Sequence, residues 1–167
     1  MSGNNHVKDD LARLYRDAIR NHAAEPTGYR NKIEATHRHE EYNPLCGDRI
    51  EIQLRVAAGA IEAAAFDGEA CAICLASASM LCGLAPGQTV EALVQLGEDL
   101  HRALDTSGGA AVGPASAAMV LDDKQKGARM NPLLREELRP LLGVRPFPSR
   151  VRCATLPWTA ATRALSD

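Results

Sequence analysis

The clearest alternation of apolar and polar positions along the chain predicts a β-strand in its first third. Four apolar residues occupy every second position from Ile50 to Val56, and Glu51, Gln53 and Arg55 stand between them. Successive side chains of a strand point to opposite faces, so this strand is predicted to have one buried and one solvated face.

Two further strands are predicted beside it. Residues 57–59 form a hairpin loop into a second strand over about 60–66, and a short loop follows at 67–70. The polar, partly β-branched segment 33–42 predicts an edge strand. The turn that separates it from the first strand is predicted at 43–48, where Asn, Pro, Gly and Asp are concentrated.

Apolar residues at offsets of three and four positions, together with capping residues, predict the helices. The predicted helices cover residues 10–25, 71–82, 89–104, 133–142 and 154–165. Asp10 is the expected N-cap of the first helix, and Pro157 falls in the first turn of the last. An extended stretch containing Pro146 and Pro148 is predicted before the last helix. The Gly-, Ala- and Ser-rich segment 105–118 predicts a flexible loop.

The order helix, strands, helices predicts an α+β fold, in which a small antiparallel β-sheet has helices packed on one face. A length of 167 residues fits one domain over residues 1–167.

Composition and charge narrow the function classes. An apolar content of 46% with 24% charged residues is typical of a globular protein. The net charge of −2 argues against nucleic acid or an anionic membrane as the main partner. No apolar run approaches the ~18 residues of a membrane span, and the first ten residues lack the apolar core of a signal peptide. We therefore expect a cytoplasmic protein with no nucleic-acid or membrane partner.

The five cysteines are the unusual feature of this composition. In a reducing compartment an odd number of cysteines favours metal or thiol chemistry over disulfides. Cys46, Cys71 and Cys153 are predicted at the ends of elements, where side chains can converge. The last two precede predicted helices, whose free N–H groups favour a thiolate. Their spacing leaves two interpretations open, a shared metal site and three unrelated thiols.

Asp48 follows Cys46 by two positions, so in an extended segment both side chains point the same way. A carboxylate there can complete a tetrahedral site with three thiolates. The alternative interpretation is a turn residue after Gly47.

Cys74 and Cys82 lie inside a predicted helix and, with Ala78, form a stripe at offsets of four. Small buried residues of the core explain them, because free cysteine behaves as a compact hydrophobe. The other interpretation is a CxxC motif formed by Cys71 and Cys74, but one such pair is a weak zinc signal and the strand context of a redox motif is missing.

Three cysteine-containing segments occur in a recognisable order. They are Asn43–Ile50 around Cys46, Gly68–Met80 around Cys71, and Arg150–Trp158 around Cys153. Together they resemble the motifs of the iron–sulfur assembly proteins of the IscU/NifU N-terminal/SufU superfamily, and the resemblance covers most of the chain from about residue 10. The chain is similar to the SufU branch, because Arg152 stands where the IscU type has a His before its last cysteine. The Pro-Pro-Val-Lys segment of the IscU type is also absent.

The resemblance implies a SufU-like fold, a tightly bound Zn²⁺ and docking to a SufS-type cysteine desulfurase. Carried over by motif, the zinc ligands are Cys46, Asp48, Cys71 and Cys153. Cys46 is implied to be the sulfur acceptor, and Arg150 a supporting residue near the site. The implied activity is that of a zinc-dependent sulfurtransferase, which passes sulfur on to a downstream iron–sulfur scaffold or to apo-proteins.

Two other functions stay open. The first is a scaffold that assembles a transient [2Fe–2S] cluster on Cys46, Cys71 and Cys153, because thiolates suit both iron clusters and zinc. Arg152 in place of the His weighs against this scaffold. The second is a structural zinc domain in which no cysteine reacts.

Overall fold

Helices pack on a three-stranded antiparallel sheet in the structure, a computed structural model that describes residues 3–105 and 136–166. The elements in chain order are α1 (Gly3–Ala24), β1 (His37–Asn43), β2 (Asp48–Ala57), β3 (Ala60–Glu69), α2 (Ala72–Leu84), α3 (Val90–Leu104), a 3-10 helix (Arg139–Val144) and α4 (Pro148–Ser166). The last helix packs against β1 and β2, and α2 packs against β3, α1 and α4. The α+β prediction is confirmed.

The sheet has the order β1-β2-β3, so β1 is an edge strand as predicted. Ile50, Ile52 and Leu54 of β2 are fully buried, which confirms the alternation in the sequence. The β2–β3 hairpin turns at Ala58 and Gly59, both with positive φ, of 52° and 76°. A two-residue turn of this kind needs positive φ at both positions, because its twist then matches that of the strands.

The prediction of a loop at residues 67–70 is wrong, because β3 continues to Glu69. Gly68 pairs with Ile50 and has φ of 141°. A Cβ atom at this position would lie 2.1 Å from the backbone oxygen of Arg49, so a residue with a side chain would push the strands apart. The glycine that indicated a loop is in fact needed for close pairing of β2 and β3.

The first and last helices also begin at other residues than predicted. Helix α1 begins at Gly3, so Asp10 lies inside the helix and is not its N-cap. Helix α4 begins at Pro148, a favoured residue for a first helical position, and Arg145 and Pro146 form a turn, so the predicted extended stretch is wrong. As a result Cys153 lies in the second turn of α4, and Pro157 lies in the helix interior.

Helices α2 and α3 agree with the prediction. Cys71 is the N-cap of α2, and the Thr89 side chain caps α3 by accepting a hydrogen bond from the N–H of Ala92 at 3.1 Å. The expected flexible loop at 105–118 lies, from residue 106 on, outside the described residues, as does the expected start of a helix at residues 131–132. None of the helices in the described ranges has the length and apolar run that crossing a bilayer requires.

Candidate metal centre

The β1–β2 hairpin supplies two of the predicted ligands. Asn43 and Asp48 are paired across the two strands, and the four residues between them form the loop that carries Cys46. Gly47 closes this loop with φ of 77° and donates its N–H to the Asn43 carbonyl at 2.8 Å. The loop leaves the Cys46 side chain exposed, whereas Asp48 is only 4% exposed.

Strand β3 brings Cys71 to the same end of the sheet. Glu69, the last residue of β3, pairs with Arg49, so the chain passes beside Asp48 before α2 begins. The backbone N–H of Cys71 donates to Oδ1 of Asp48 at 2.8 Å. This bond ties the start of α2 to the start of β2.

Helix α4 supplies Cys153, the last of the predicted ligands. Cys153 is buried, and its Sγ lies 3.8 Å from Sγ of Cys46 and 3.5 Å from the backbone oxygen of Ser149. One ligand atom from each of Cys46, Asp48 and Cys153 lies within 4.8 Å of the other two. The helix thus brings together groups that are far apart in the sequence.

These residues fit a tetrahedral zinc ion. Zn–S bonds of about 2.3 Å at tetrahedral angles place two sulfur ligands about 3.8 Å apart, which is the observed separation of Cys46 and Cys153. Oδ2 of Asp48 is buried and has no hydrogen-bond partner among the described residues. A buried carboxylate oxygen without a donor is costly unless a cation binds it.

Cys71 is the predicted ligand that the structure places differently. Its thiol is not in the group of three, although it is half-buried and lies close enough to raise the pKa of Cys153. The sequence therefore predicted four ligands. The side chains of three of them converge, and Cys71 is linked to this group by the hydrogen bond from its backbone N–H to Asp48.

The electrostatics of the centre favour a charged carboxylate and a protonated Cys153. Burial raises the pKa of Asp48, but the nearby Cys153 thiol, the hydrogen bond from the Cys71 backbone N–H and the nearby Cys46 thiol outweigh it and hold the pKa below its usual value. Burial, followed by the neighbouring Asp48 and Cys71, raises the pKa of Cys153. A cation that binds here must displace the Cys153 proton.

Cys74 and Cys82 lie in the core, in line with the packing interpretation. Burial raises the pKa of both thiols, and that of Cys82 rises to about 12. A Cβ atom at Gly28 would lie 2.8 Å from the Cβ of Cys82, so the two residues are in close contact. Neither cysteine belongs to the metal-ligating group within the described part of the chain.

Arg150 lies one helical turn before Cys153 on α4 and is exposed. Residues three apart on a helix share a face, so Arg150 is on the side of the centre. Its supporting role remains a prediction.

Two buried polar residues beside the centre were missed from the sequence. Ser77 in α2 donates to the Ala154 carbonyl at 2.5 Å and accepts a hydrogen bond from the Trp158 indole N–H at 3.0 Å, which joins α2 to α4. The available signal was the presence of polar residues, Ser77 and Ser79, in a helix of small and apolar residues. Asn43 was assigned only to a turn, yet it is 4% exposed.

Two named proteins are similar in sequence to this chain over more than nine-tenths of its length. The Bacillus subtilis (strain 168) protein named zinc-dependent sulfurtransferase SufU is 31% identical over 160 residues, which cover 94% of this chain and 92% of that protein. The Streptococcus pyogenes serotype M1 protein named iron–sulfur cluster assembly scaffold protein IscU is 27% identical over 157 residues, which cover 93% and 84%.

A solved structure supports the fold. The N-terminal NifU-like protein from Brucella abortus superposes with a TM-score of 0.71 at 18% identity, covering 93% of this chain and 94% of that one. The model of the family described as the NifU-like N terminal domain matches residues 14–130. This range contains Cys46, Asp48 and Cys71, and Cys153 lies beyond it within the span shared with SufU. Because the family model matches more than half of the chain, the protein belongs to the family of NifU-like N-terminal domains.

Proposed function

We propose that this protein is a zinc-bound sulfur acceptor in iron–sulfur cluster biogenesis. It takes persulfide sulfur from a SufS-type cysteine desulfurase through Cys46 and passes it to a downstream scaffold or to apo-proteins. The observation that carries the proposal is the exposed Cys46 thiol, 3.8 Å from a buried thiol and beside a buried carboxylate. The similarity to a protein named zinc-dependent sulfurtransferase supports it.

Cys46, Asp48, Cys71 and Cys153 are the proposed zinc ligands. Bound Zn²⁺ keeps coordinated thiols deprotonated and protects them from oxidation until they are needed. The mixed sulfur and oxygen ligands need not be as inert as an all-cysteine structural site. Asp48 is suited to this set because its Oδ1 is held by the N–H of Cys71 while its Oδ2 has no other partner in the described residues.

The proposed transfer is a thiol–persulfide exchange. The Cys46 thiolate attacks the terminal sulfur of the desulfurase persulfide, the S–S bond of that persulfide breaks, and the desulfurase cysteine leaves as a thiolate. A new persulfide then stands on Cys46, and no external oxidant or reductant is consumed. Cys46 suits this role because it lies in the hairpin loop and is exposed to solvent, whereas Cys153 of α4 is buried.

Arg150 has a proposed electrostatic role. Three thiolates and one carboxylate exceed the charge of a divalent cation, and a nearby guanidinium offsets the excess without binding the ion. The exposed position of Arg150, one turn before Cys153, is compatible with this role.

The test is sulfur transfer with the variant Cys46→Ala. In a reaction with the desulfurase and sulfur-labelled cysteine, we expect the wild-type chain to become labelled and to stimulate turnover, and the variant to do neither. Cys82→Ala is the matched control, because it removes a thiol that lies in the core. If Cys46→Ala accepted label and stimulated turnover normally, the acceptor assignment would be wrong.

The second candidate function is a scaffold for a transient [2Fe–2S] cluster on Cys46, Cys71 and Cys153. The relative from Streptococcus pyogenes, which is named as a scaffold, favours it. Anaerobic reconstitution with iron and sulfide separates the two functions. A scaffold transfers its cluster to an apo-acceptor faster than free iron and sulfide do, whereas we expect no such acceleration here.

A further inference from the structure

The sulfurs of Cys46 and Cys153 are neighbours that lie at different depths in the centre. Their Sγ atoms are 3.8 Å apart, within contact distance. Cys46 is the one exposed thiol among the five cysteines, whereas Cys153 is only 5% exposed. A sulfur atom added to Cys46 therefore has room on the solvent side, and the Cys153 thiol lies behind Cys46 on the protein side.

The loop that carries Cys46 has room to bring the two sulfurs together. Its four residues, 44–47, are all exposed, while Asn43 and Asp48 at its two ends are buried. A disulfide bond of about 2.05 Å requires the sulfurs to approach each other by a further distance of less than about 2 Å. A shift confined to four exposed residues leaves the pairing of β1 with β2 unchanged.

We propose that Cys153 is a resolving thiol, which sets free as sulfide the sulfur that Cys46 carries once the metal has left the centre. The Cys153 sulfur attacks the sulfur bonded to Cβ of Cys46, and the S–S bond of the persulfide breaks. Its electron pair leaves with the outer sulfur as hydrosulfide, and a disulfide joins Cys46 to Cys153. The persulfide is the oxidant of the two cysteines, and a dithiol reductant returns them to thiols.

Asp48 is placed to take the proton of the Cys153 thiol. Burial, followed by Asp48 and Cys71, raises the pKa of Cys153, so the attacking sulfur must give up its proton during the step. An oxygen of the Asp48 carboxylate lies within 4.8 Å of both sulfurs. The carboxylate accepts the proton, directly or through one water, and passes it to the departing hydrosulfide, which leaves as H₂S.

The proposed zinc site decides when this step is possible, and the inference rests on that proposed function. In the loaded protein Cys153 is one of the proposed ligands, so its sulfur is engaged with the ion. Removal of Zn²⁺ frees that sulfur 3.8 Å from Cys46. The same pair of cysteines therefore keeps sulfur on Cys46 in the loaded state and discharges it in the metal-free state.

The test follows the Cys46 persulfide in the full chain, with no desulfurase present. Zinc-loaded and chelator-treated proteins are exposed briefly to inorganic polysulfide, desalted, and followed by mass spectrometry. In chelator-treated protein we expect the persulfide to disappear at least about 10-fold faster in the wild type than in Cys153→Ser, because an adjacent thiol replaces a bimolecular reaction. Zinc-loaded wild type should keep its persulfide as long as Cys153→Ser does. Equal lifetimes in chelator-treated wild type and Cys153→Ser would overturn the inference.

Cys82→Ala is the matched control, because Cys82 is a thiol of the core outside the metal-ligating group. In chelator-treated protein its persulfide should disappear, and its disulfide form, at the wild-type rate. A persulfide as long-lived in Cys82→Ala as in Cys153→Ser would show that any lost thiol has this effect, and would overturn the specific role of Cys153.

The identity of the disulfide keeps the inference testable if Cys153→Ser does not fold or the chain loosens without zinc. In the folded chain the disulfide joins Cys46 to Cys153, whose sulfurs are neighbours. In an unfolded chain loop closure favours Cys71, which is much nearer to Cys46 in the sequence. Peptide mapping of the wild type is expected to find Cys46–Cys153 as the main disulfide. A main disulfide to Cys71, or a mixture, would overturn the role of Cys153.

Failure of this inference and failure of the proposed function give different results. A chain that forms the Cys46–Cys153 disulfide after polysulfide treatment, but takes no label from the desulfurase, would overturn the proposed function alone. A chain that takes label from the desulfurase, but keeps its Cys46 persulfide after zinc is removed, would overturn the inference alone.

Discussion

Sγ of Cys46 lies 3.8 Å from Sγ of Cys153, although the two residues are 107 positions apart in the sequence. A disulfide has an S–S distance of about 2.05 Å, and both thiols are free. The two sulfurs differ in their surroundings, since the Cys46 loop is exposed and Cys153 is buried in α4. We infer that Cys153 anchors the proposed ion, while Cys46 meets the sulfur donor.

Zinc is expected to stabilise the folded protein. A ligand that binds only the folded state at 100 times its Kd adds about 2.7 kcal/mol to the free energy of unfolding. The melting temperature should therefore rise when Zn²⁺ is returned to chelator-treated protein. Mg²⁺ is the matched control and should have no such effect, because it prefers oxygen ligands to thiolates. Equal melting temperatures with and without Zn²⁺ would argue against the site.

Replacing Arg150 should slow sulfur transfer without emptying the site. We expect Arg150→Ala to lower the transfer rate several-fold, because the excess negative charge of the ligand set is then less well balanced, while zinc content stays near that of the wild type. Arg152→Ala is the matched control, since Arg152 is also exposed on α4 but is adjacent to Cys153 in sequence and therefore faces another side of the helix. Equal rates for Arg150→Ala and the wild type would remove Arg150 from the mechanism.

Leu45 is expected to contribute to docking of the desulfurase. It is 71% exposed, unusual for a large apolar side chain, and it directly precedes Cys46. Leu45→Ser should raise the concentration needed to stimulate the desulfurase by about 5- to 30-fold, the loss typical of a central interface residue. Turnover at saturation and zinc content should change little. Val7→Ser, at a position 68% exposed on α1, is the control. A stimulation curve for Leu45→Ser that coincides with the wild type would contradict this role.

Ser77 should support the metal centre through helix packing. It bonds the Ala154 carbonyl and the Trp158 indole, so Ser77→Ala removes two buried hydrogen bonds and leaves the indole N–H without this acceptor. We expect the free energy of unfolding, measured in urea, to fall by about 1–3 kcal/mol. Ser166→Ala, at the exposed end of α4, should change it by less than about 0.5 kcal/mol. A loss no larger for Ser77→Ala than for Ser166→Ala would show that the bonds contribute little.

The sequence predicted the sheet better than the last helix, for a physical reason. Strand β2 alternates apolar and polar residues because one of its faces is buried, and this pattern is visible without tertiary information. Helix α4 contains Pro148 and Pro157, which indicate extended or initial positions, yet packing on β1 and β2 keeps the helix continuous through Pro157. Pro157 has no N–H for the Cys153 carbonyl, a cost that no local pattern would predict.

The candidate site was predicted through motifs, and its detailed geometry was not. Local spacing placed Cys46 and Asp48 together, but the approach of Cys153 depends on how α4 packs on the sheet. Cys71 was expected to provide a thiol, and the structure instead shows its backbone N–H bound to Asp48. The unpaired atoms of Asn43 and Asp48 depend on burial, which emerges only from the folded structure.

The buried Cys82 thiol should make the protein less stable at alkaline pH. Burial raises its pKa from 9.0 to about 12. Between these values the unfolded chain has lost the proton that the folded chain still holds. Its contribution to stability is therefore complete below pH 9 and is lost as pH rises towards 12, at up to about 1.4 kcal/mol per pH unit.

Cys82→Ala removes this thiol and leaves a small residue that fits beside Gly28. In chelator-treated protein at pH 8, we expect the wild type to be more stable than the variant, because the buried sulfur fills space in the core. The difference should shrink as pH rises from 9 to 11 and can reverse sign, as measured by urea unfolding at each pH. Met80→Ala removes a buried apolar side chain without a titrating group, so its loss in the free energy of unfolding relative to the wild type should stay constant with pH. If the difference in the free energy of unfolding between the wild type and Cys82→Ala also stayed constant with pH, the thiol would ionise as readily in the folded protein as in the unfolded chain.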